Sequence, residues 1–110
     1  MENIRKERVI SLIEHVAGDF LIREIGLPGV LISVSRVELS KDMQNAKIFL
    51  SVFPENKGRK ILKMVSDVRK DFKNFFRKRA KMKYLPSFWF VLDEQIKKQS
   101  QVEELLRELK

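Results

Sequence analysis

The chain has 110 residues, no cysteine, and 23 Lys and Arg against 15 Asp and Glu, which gives a net charge of +8. This length suits one domain with a single core. The lack of cysteine excludes a disulfide scaffold, a cysteine-based zinc site and a cysteine nucleophile. No apolar run approaches the roughly 18 residues of a membrane span, and no signal-peptide-like segment follows Met1. We therefore expect a soluble, cytoplasmic protein.

The first predicted element is a helix from about Glu2 to Glu24, in which apolar residues recur at helical spacing. The tetrapeptide Gly26-Leu27-Pro28-Gly29 follows and is typical of a helix stop. It also spells Gly-x-x-Gly, a pattern that some nucleic-acid-binding loops use. Because Pro28 has no N–H to donate to a phosphate, we interpret the tetrapeptide as a helix stop only.

Two strands are predicted next, from Val30 to Leu39 and from Ala46 to Phe53. The first is rich in β-branched residues, and its alternation shifts near Ser35, which indicates a bulge. The second alternates regularly, as half-buried strands do. The polar segment from Ser40 to Asn45 predicts a turn between them, so the pair should form a hairpin.

The stretch from Lys57 to Lys83 holds twelve Lys and Arg but only two acids, a net charge of +10, so the rest of the chain sums to −2. Apolar residues at a 3-4 spacing predict a helix here, entered through Pro54 to Gly58. A continuous helix from Arg59 to Lys81 would be about 33 Å long. The stripe opposite the apolar one carries cations and no acid, which favours a polyanion partner over a plain solvated face. Its cations are Arg59, Lys63, Lys70, Lys73, Arg77 and Lys81.

This helical pattern is more than twice the mean helix length, so we predict a break inside it. Ser66 and Asn74 are the candidate positions, because short polar side chains compete for backbone hydrogen bonds. Arg79 falls on the apolar stripe. Either regular packing ends near Arg77, or the stem of Arg79 lies along the core with its charge in water.

Pro86 ends the helical region, and a third strand is predicted from Ser87 to Leu92. Asp93 could cap a last helix, whose apolar stripe would be Val102, Leu105, Leu106 and Leu109. We expect Trp89 to be buried or covered by a helix. The side chains of Phe72, Phe75 and Phe76 should pack in the core and not stack on bases. The elements predict an α+β fold, with a small three-stranded sheet backed by helices.

Three segments resemble the ribosome-binding factor A family: residues 30–43 and 45–52, which look like its two-strand signature, and residues 85–94, which look like its later Pro-x-Leu-x-Phe-x-x-Asp segment. The resemblance implies one type II KH-like domain over residues 1–110, in αββααβ order, with residues 95–110 as a terminal helical extension. It also implies an assembly factor that binds the immature small (30S) ribosomal subunit and 16S rRNA, assists late maturation near the rRNA 5′ end, and acts in cold adaptation. The family has an Ala-x-Gly kink between its two helices, whereas this chain has no glycine between Arg59 and Pro86.

The candidate RNA contacts are the six outward cations above and five secondary ones. Such residues would hold phosphates and carry little sequence information. The secondary cations are Lys78, Lys83, Arg5, Lys6 and Arg8.

We expect no enzymatic activity, cofactor, metal or small-molecule substrate, since the single histidine, His15, has no accompanying nucleophile motif. A monomer is expected as well. The alternative is that the basic amphipathic helix docks on an acidic protein or an anionic membrane. That alternative weakens if the phenylalanines of the helix belong to the domain's own core, and we expect no membrane partner.

Overall fold

The computed structural model describes residues 2–94, with side chains from Ile4 onwards. Its order is helix, two strands, two helices and a strand. The predicted bounds of the first helix and of the last strand are confirmed, and the other two strands begin one residue away from their predicted starts. The terminal helix predicted after Asp93 lies outside the described residues. The elements are α1 (Glu2–Glu24), β1 (Leu31–Leu39), β2 (Asn45–Phe53), α2 (Gly58–Asp67), α3 (Arg69–Arg79) and β3 (Ser87–Leu92), with a 3-10 turn at Glu55–Lys57.

The three strands form one sheet in the order β1-β2-β3. β1 and β2 pair antiparallel as the predicted hairpin, and β3 runs parallel to β2. Between the pairs Val34↔Leu50 and Arg36↔Phe49 the register shifts, so Ser35 has no partner. The predicted bulge is therefore confirmed. Its extra residue lets apolar side chains on both sides of the bulge point to the same face of β1.

The helices cover one face of the sheet, and the core lies between the two layers. Phe72 of α3 is at its centre, fully buried and surrounded by four other aromatic rings. The centroid of Phe72 lies 4.9 Å from Phe88, 5.2 Å from Phe20, 5.4 Å from Phe90 and 6.2 Å from Phe76. Burying such side chains stabilises the fold by about 1.5–3 kcal/mol each. The expected packing of the α3 phenylalanines is confirmed, with Phe75 half-buried against Phe20 at 5.3 Å.

The long basic helix breaks at Val68, so the expectation of a break is confirmed but both candidate positions are wrong. Ser66 and Asn74 lie inside α2 and α3. Val68 has φ −106° and ψ 23°, and its N–H bonds to the carbonyl of Val65, three residues back, at 3.1 Å. A β-branched residue loses side-chain freedom in a helix, which lowers its helix propensity slightly. Because its φ is negative, the break needs no glycine.

The expectation that Trp89 is buried is wrong, since 45% of this residue is exposed. Side chains alternate along β3, so either Trp89 or its two neighbours must face away from the helices. Phe88 and Phe90 are the buried pair, at 2% and 8% exposure. Two phenylalanines fill the layer under α3, and Trp89 therefore points to the other face of the sheet.

Two features are absent from residues 2–94. No helix there is both long and apolar enough to cross a membrane. The same residues contain no cluster of three or more His, Asp or Glu side chains that could hold a metal ion.

Candidate nucleic-acid interface

Most of the predicted cations lie on the outward side of α2 and α3. The inward side of the same helices is fully buried at Ile61, Val65, Phe72 and Phe76. Because apolar and basic residues alternate at helical spacing, anchoring the first set in the core turns the second set outward. The exposed members are Arg59, Lys63, Lys70, Arg77 and Lys78, and Lys73 is half-buried.

The described acids do not neutralise the charge of this outward face. Within residues 4–94 the ion pairs are formed by Arg36 and Arg79, and none of the eleven candidate cations takes part in one. Arg77 donates a hydrogen bond to the neutral amide oxygen of Asn74 at 3.0 Å. Cations without acid partners keep their positive field, which attracts a polyanion.

Arg79 has a different role from the other cations of α3. Its Nη1 lies 2.7 Å from Oδ2 of Asp19 on α1, and its guanidinium lies 4.2 Å from the centroid of the Phe75 ring. The helix continues through Arg79, and the charged end of this side chain lies on the half-buried ring of Phe75. The hydrogen bond from Arg79 holds the pKa of Asp19 below its ordinary value of 3.8, and the charges of His15 and Arg79 act in the same direction. Arg79 therefore joins α3 to α1.

Lys81 and Lys83 do not continue the helical stripe, contrary to the prediction for Lys81. Ala80 has extended backbone angles, φ −103° and ψ 123°, and ends α3. Both lysines are exposed in the segment that leads to β3, and Lys83 Nζ lies 5.6 Å from the ring centroid of Tyr84. The predicted 33 Å ridge is replaced by two helices and a short basic segment.

The N-terminal cations belong to a separate element. Arg5 and Arg8 are exposed near the start of α1, and Lys6 is half-buried. α1 packs against β1 and α3. These residues are thus on a different helix from the outward cations of α2 and α3.

Arg69, the first residue of α3, is a further cation that is not among the predicted RNA contacts. Its guanidinium carbon lies 4.0 Å from the centroid of the Trp89 ring, and the two side chains border a cleft of about 190 Å³ with Lys70, Lys73 and Ser87. Helical periodicity placed Arg69 outside the outward stripe. Only the packing of α3 beside β3 brings it to a tryptophan twenty positions away in the sequence, so no local pattern could have found this pair.

The element order, with a broken helix pair between β2 and β3, defines a type II KH-like α+β domain. Solved structures support this class. The crystal structure of ribosome-binding factor A from Thermus thermophilus is similar at a TM-score of 0.66 and 23% identity, covering 79% of this chain and 93% of that chain. A model of the Thermus thermophilus factor, as fitted into a cryo-electron-microscopy map of a complex of 30S with that factor, has a TM-score of 0.65 at 22% identity and covers 77% and 91%.

Sequence comparison gives the family. The model of the family described as ribosome-binding factor A matches residues 5–106, and the chain therefore belongs to this family. The ribosome-binding factor A of Thermodesulfovibrio yellowstonii is 30% identical over 107 residues, covering 96% of this chain and 91% of that protein. That of Brevibacillus brevis is 34% identical over 111 residues, covering 99% and 92%. The resemblance found in residues 30–94 is confirmed.

Proposed function

We propose that this protein is a non-enzymatic assembly factor that binds the immature small (30S) ribosomal subunit through 16S rRNA and assists late maturation of that rRNA. Family membership supports the ribosomal partner. The cytoplasm, where small subunits are assembled, is the proposed location, and a role in cold adaptation belongs to the same proposal. No cofactor or small-molecule substrate takes part in this function.

The observation that carries the proposal is the outward face of α2 and α3, whose cations form no ion pair within residues 4–94. Arg59, Lys63, Lys70, Lys73 and Arg77 would contact phosphates of folded rRNA, with Lys81 beyond the helix end. Each phosphate neutralised by a cation releases counterions, which favours binding at low salt. Such contacts position the protein, and the shape of the folded rRNA supplies the specificity.

The alternative is a basic amphipathic helix that docks on an acidic protein or an anionic membrane, and its membrane form receives no support from the packing. Insertion needs free apolar side chains on the helix. Phe72 and Phe76 are fully buried in the domain's own core. They cannot contact lipid while the domain stays folded.

The first test measures binding to purified small-subunit precursors at several salt concentrations. If five or six phosphates are neutralised, the logarithm of the affinity falls with the logarithm of the salt concentration at a slope of about −4 to −5. The double variant Lys70→Glu/Arg77→Glu should make this slope shallower by about 2. An unchanged slope would remove α3 from the proposed contact.

The matched control is Arg23→Glu/Lys41→Glu. It changes the net charge by the same amount, at two exposed positions on α1 and in the hairpin turn. Its slope should stay close to that of the unchanged protein, which separates the α3 contact from a general effect of charge.

The second test concerns maturation. Cells that lack the protein should accumulate free small subunits whose 16S rRNA keeps an unprocessed 5′ end, most strongly at low temperature. The Lys70→Glu/Arg77→Glu variant should not restore processing, whereas the control variant should. Normal processing in cells without the protein would contradict the proposed role.

A further inference from the structure

The face of the sheet opposite α1, α2 and α3 carries several apolar side chains in contact with solvent. Leu31 is 72% exposed, Phe53 67% and Trp89 45%. In the part of the chain that the structure describes, no helix packs on this face. Exposed apolar patches of this kind mark sites of interaction. We call this surface the open sheet face, defined by Leu31, Arg36, Lys47, Phe49, Phe53 and Trp89.

Two arginines lie over aromatic rings on the open sheet face. The guanidinium carbon of Arg36 is 3.9 Å from the centroid of Phe49, and that of Arg69 is 4.0 Å from the centroid of Trp89. A planar guanidinium stacks on an aromatic face and keeps its donors free at the edges. Each pair therefore offers a flat surface, and the Trp89–Arg69 pair also offers a positive charge, whereas the charge of Arg36 is balanced by Glu38 and Asp93.

The first pair is held in place by its neighbours. Arg36 Nη1 lies 2.8 Å from Oε1 of Glu38, and Arg36 Nε lies 3.5 Å from Oδ2 of Asp93. The hydroxyl of Ser35, the bulged residue, donates to the same Asp93 oxygen at 2.6 Å. The bulge thus orients Arg36 over Phe49 before any ligand binds, which lowers the entropy cost of binding.

The two pairs are spaced like neighbouring stacking positions. Lys47 is the register partner of Trp89, and Phe49 follows it on the same side of β2. With about 4.8 Å between strands and about 3.3 Å per residue, Phe49 and Trp89 are about 8 Å apart. RNA-binding sheets use aromatic side chains in a similar arrangement to stack two or three unpaired bases.

The charge of the open sheet face favours RNA over an acidic or neutral protein surface. Lys47 is exposed next to Trp89, and Arg69 lies on the Trp89 ring without an ion pair among residues 4–94. Arg36, by contrast, is paired with Glu38 and Asp93 and adds no net positive charge. Stacking surfaces together with unpaired cations match a single-stranded polyanion with aromatic bases.

We propose that the open sheet face binds unpaired RNA bases through the Trp89–Arg69 and Phe49–Arg36 pairs, as a second RNA-contacting surface beside the outward cations of α2 and α3. The identity of the partner rests on the proposed function, and the sheet adds a preference for single strands. Arg69 is the first residue of α3 and Lys70 is the second. One RNA single strand can therefore place its phosphates on the helix and its bases on the sheet.

Trp89 is the only tryptophan of the chain, so its fluorescence reports on this face alone. In the free, full-length protein, acrylamide should quench Trp89 efficiently. A short single-stranded oligoribonucleotide should then quench it further in a saturable manner, because bases stack on the indole. A duplex RNA with the same number of phosphates should bind without this quenching. Tryptophan shielded from acrylamide in the free protein would mean that another part of the chain covers the face, and it would overturn the proposal.

Affinity is measured separately, with a labelled oligoribonucleotide. Trp89→Ala should weaken binding of the single strand about five- to a hundredfold and leave duplex binding unchanged. Trp89→Phe should restore most of the affinity, since it keeps an aromatic face. The matched control is Tyr84→Ala, which removes an aromatic side chain that is 79% exposed and lies outside the sheet.

The outcomes separate this inference from the proposed function. If Trp89→Ala binds single strands normally while Lys70→Glu/Arg77→Glu loses salt-dependent binding, the inference fails and the proposed function stands. If Trp89→Ala weakens binding to small subunits but not to any oligoribonucleotide, the face docks on a ribosomal protein and the inference is wrong. If no RNA binds at all, both fail.

Discussion

The two sides of this domain use the same residue types in opposite ways. On α2 and α3 the aromatic rings point into the core and the cations point to solvent, so the two sets are separated by the helix. On the open sheet face the arginines lie directly on the rings, at 3.9 Å for Arg36 on Phe49 and 4.0 Å for Arg69 on Trp89. The first arrangement presents charge alone, and the second presents charge together with a stacking surface.

The difference has a geometrical cause. A helix places residues over a full circle, so it can bury one side and expose the opposite side. A strand places alternate residues on two faces. Because α1, α2 and α3 all cover one face of the sheet, large apolar residues of the other face, such as Trp89, are in contact with solvent in the part of the chain that the structure describes. Similar compositions can therefore produce a helix side that presents charge and a sheet side that presents arginine-covered aromatic rings in one small domain.

The largest expected effect comes from the aromatic core under α3. Phe72→Ala should lower the free energy of unfolding by about 3–5 kcal/mol, because it leaves a cavity among four aromatic rings. Urea denaturation measures the loss. Phe53→Ala on the open sheet face should change stability by no more than about 0.5 kcal/mol, since 67% of Phe53 is exposed. Equal losses of stability at the two positions would contradict the assignment of Phe72 to the core and of Phe53 to an exposed face.

An intermediate effect is expected where α2 meets α3. Val68→Gly should destabilise the protein by about 1–2 kcal/mol, through lost burial and added backbone freedom in the unfolded chain. The φ of −106° at Val68 suits any L-residue, so glycine has no advantage there. Val68→Ala removes most of the side chain without freeing the backbone, and the difference between the two variants measures the backbone part. A more stable glycine variant would contradict our explanation of the break.

The smallest expected effect concerns Arg79, the cation of α3 that contacts Asp19. Because the pKa of Asp19 is lowered in the folded protein, its contribution to stability is present above the unfolded pKa, near 3.8, and is lost as the pH falls through the folded pKa. In Arg79→Ala, an NMR titration of the Asp19 carboxyl should show its pKa return towards 3.8.

Asp42 is the internal control for this titration. Its pKa is also lowered, but by hydrogen bonds from the Ser40 hydroxyl and from the backbone N–H of Gln44. The pKa of Asp42 should therefore not respond to Arg79→Ala. An unchanged pKa of Asp19 in the variant would show that Arg79 does not form the contact with α1 in solution.

Local patterns predicted the elements well because each is encoded by neighbouring residues. The bounds of α1 and β3 follow from apolar periodicity and from breakers such as Gly26 and Pro86. The bulge at Ser35 is visible as a shift in alternation. The apolar stripe of α3 must be buried against the sheet. Lys70 and Arg77 lie on the opposite side of α3 and therefore point outward.

Other features depend on residues far apart in the chain, and local patterns could not predict them. Polar residues suggested breaks at Ser66 or Asn74, but the chain bends at an apolar position, Val68. The side of the sheet to which Trp89 points depends on which of two faces the helices cover. The pairing of Arg69 with Trp89 also requires α3 to lie beside β3.

The sequence by itself determined the α+β order of elements, the family and the concentration of positive charge in residues 57–83, because periodicity, motif and charge are local properties of the chain. Only the tertiary structure decided which cations stay unpaired, where the basic helix breaks and which aromatic rings meet an arginine. Those properties depend on the distances between elements, and packing around the core sets these distances. The basic outward helices can thus be found in the sequence, whereas the open sheet face is found only in the folded protein.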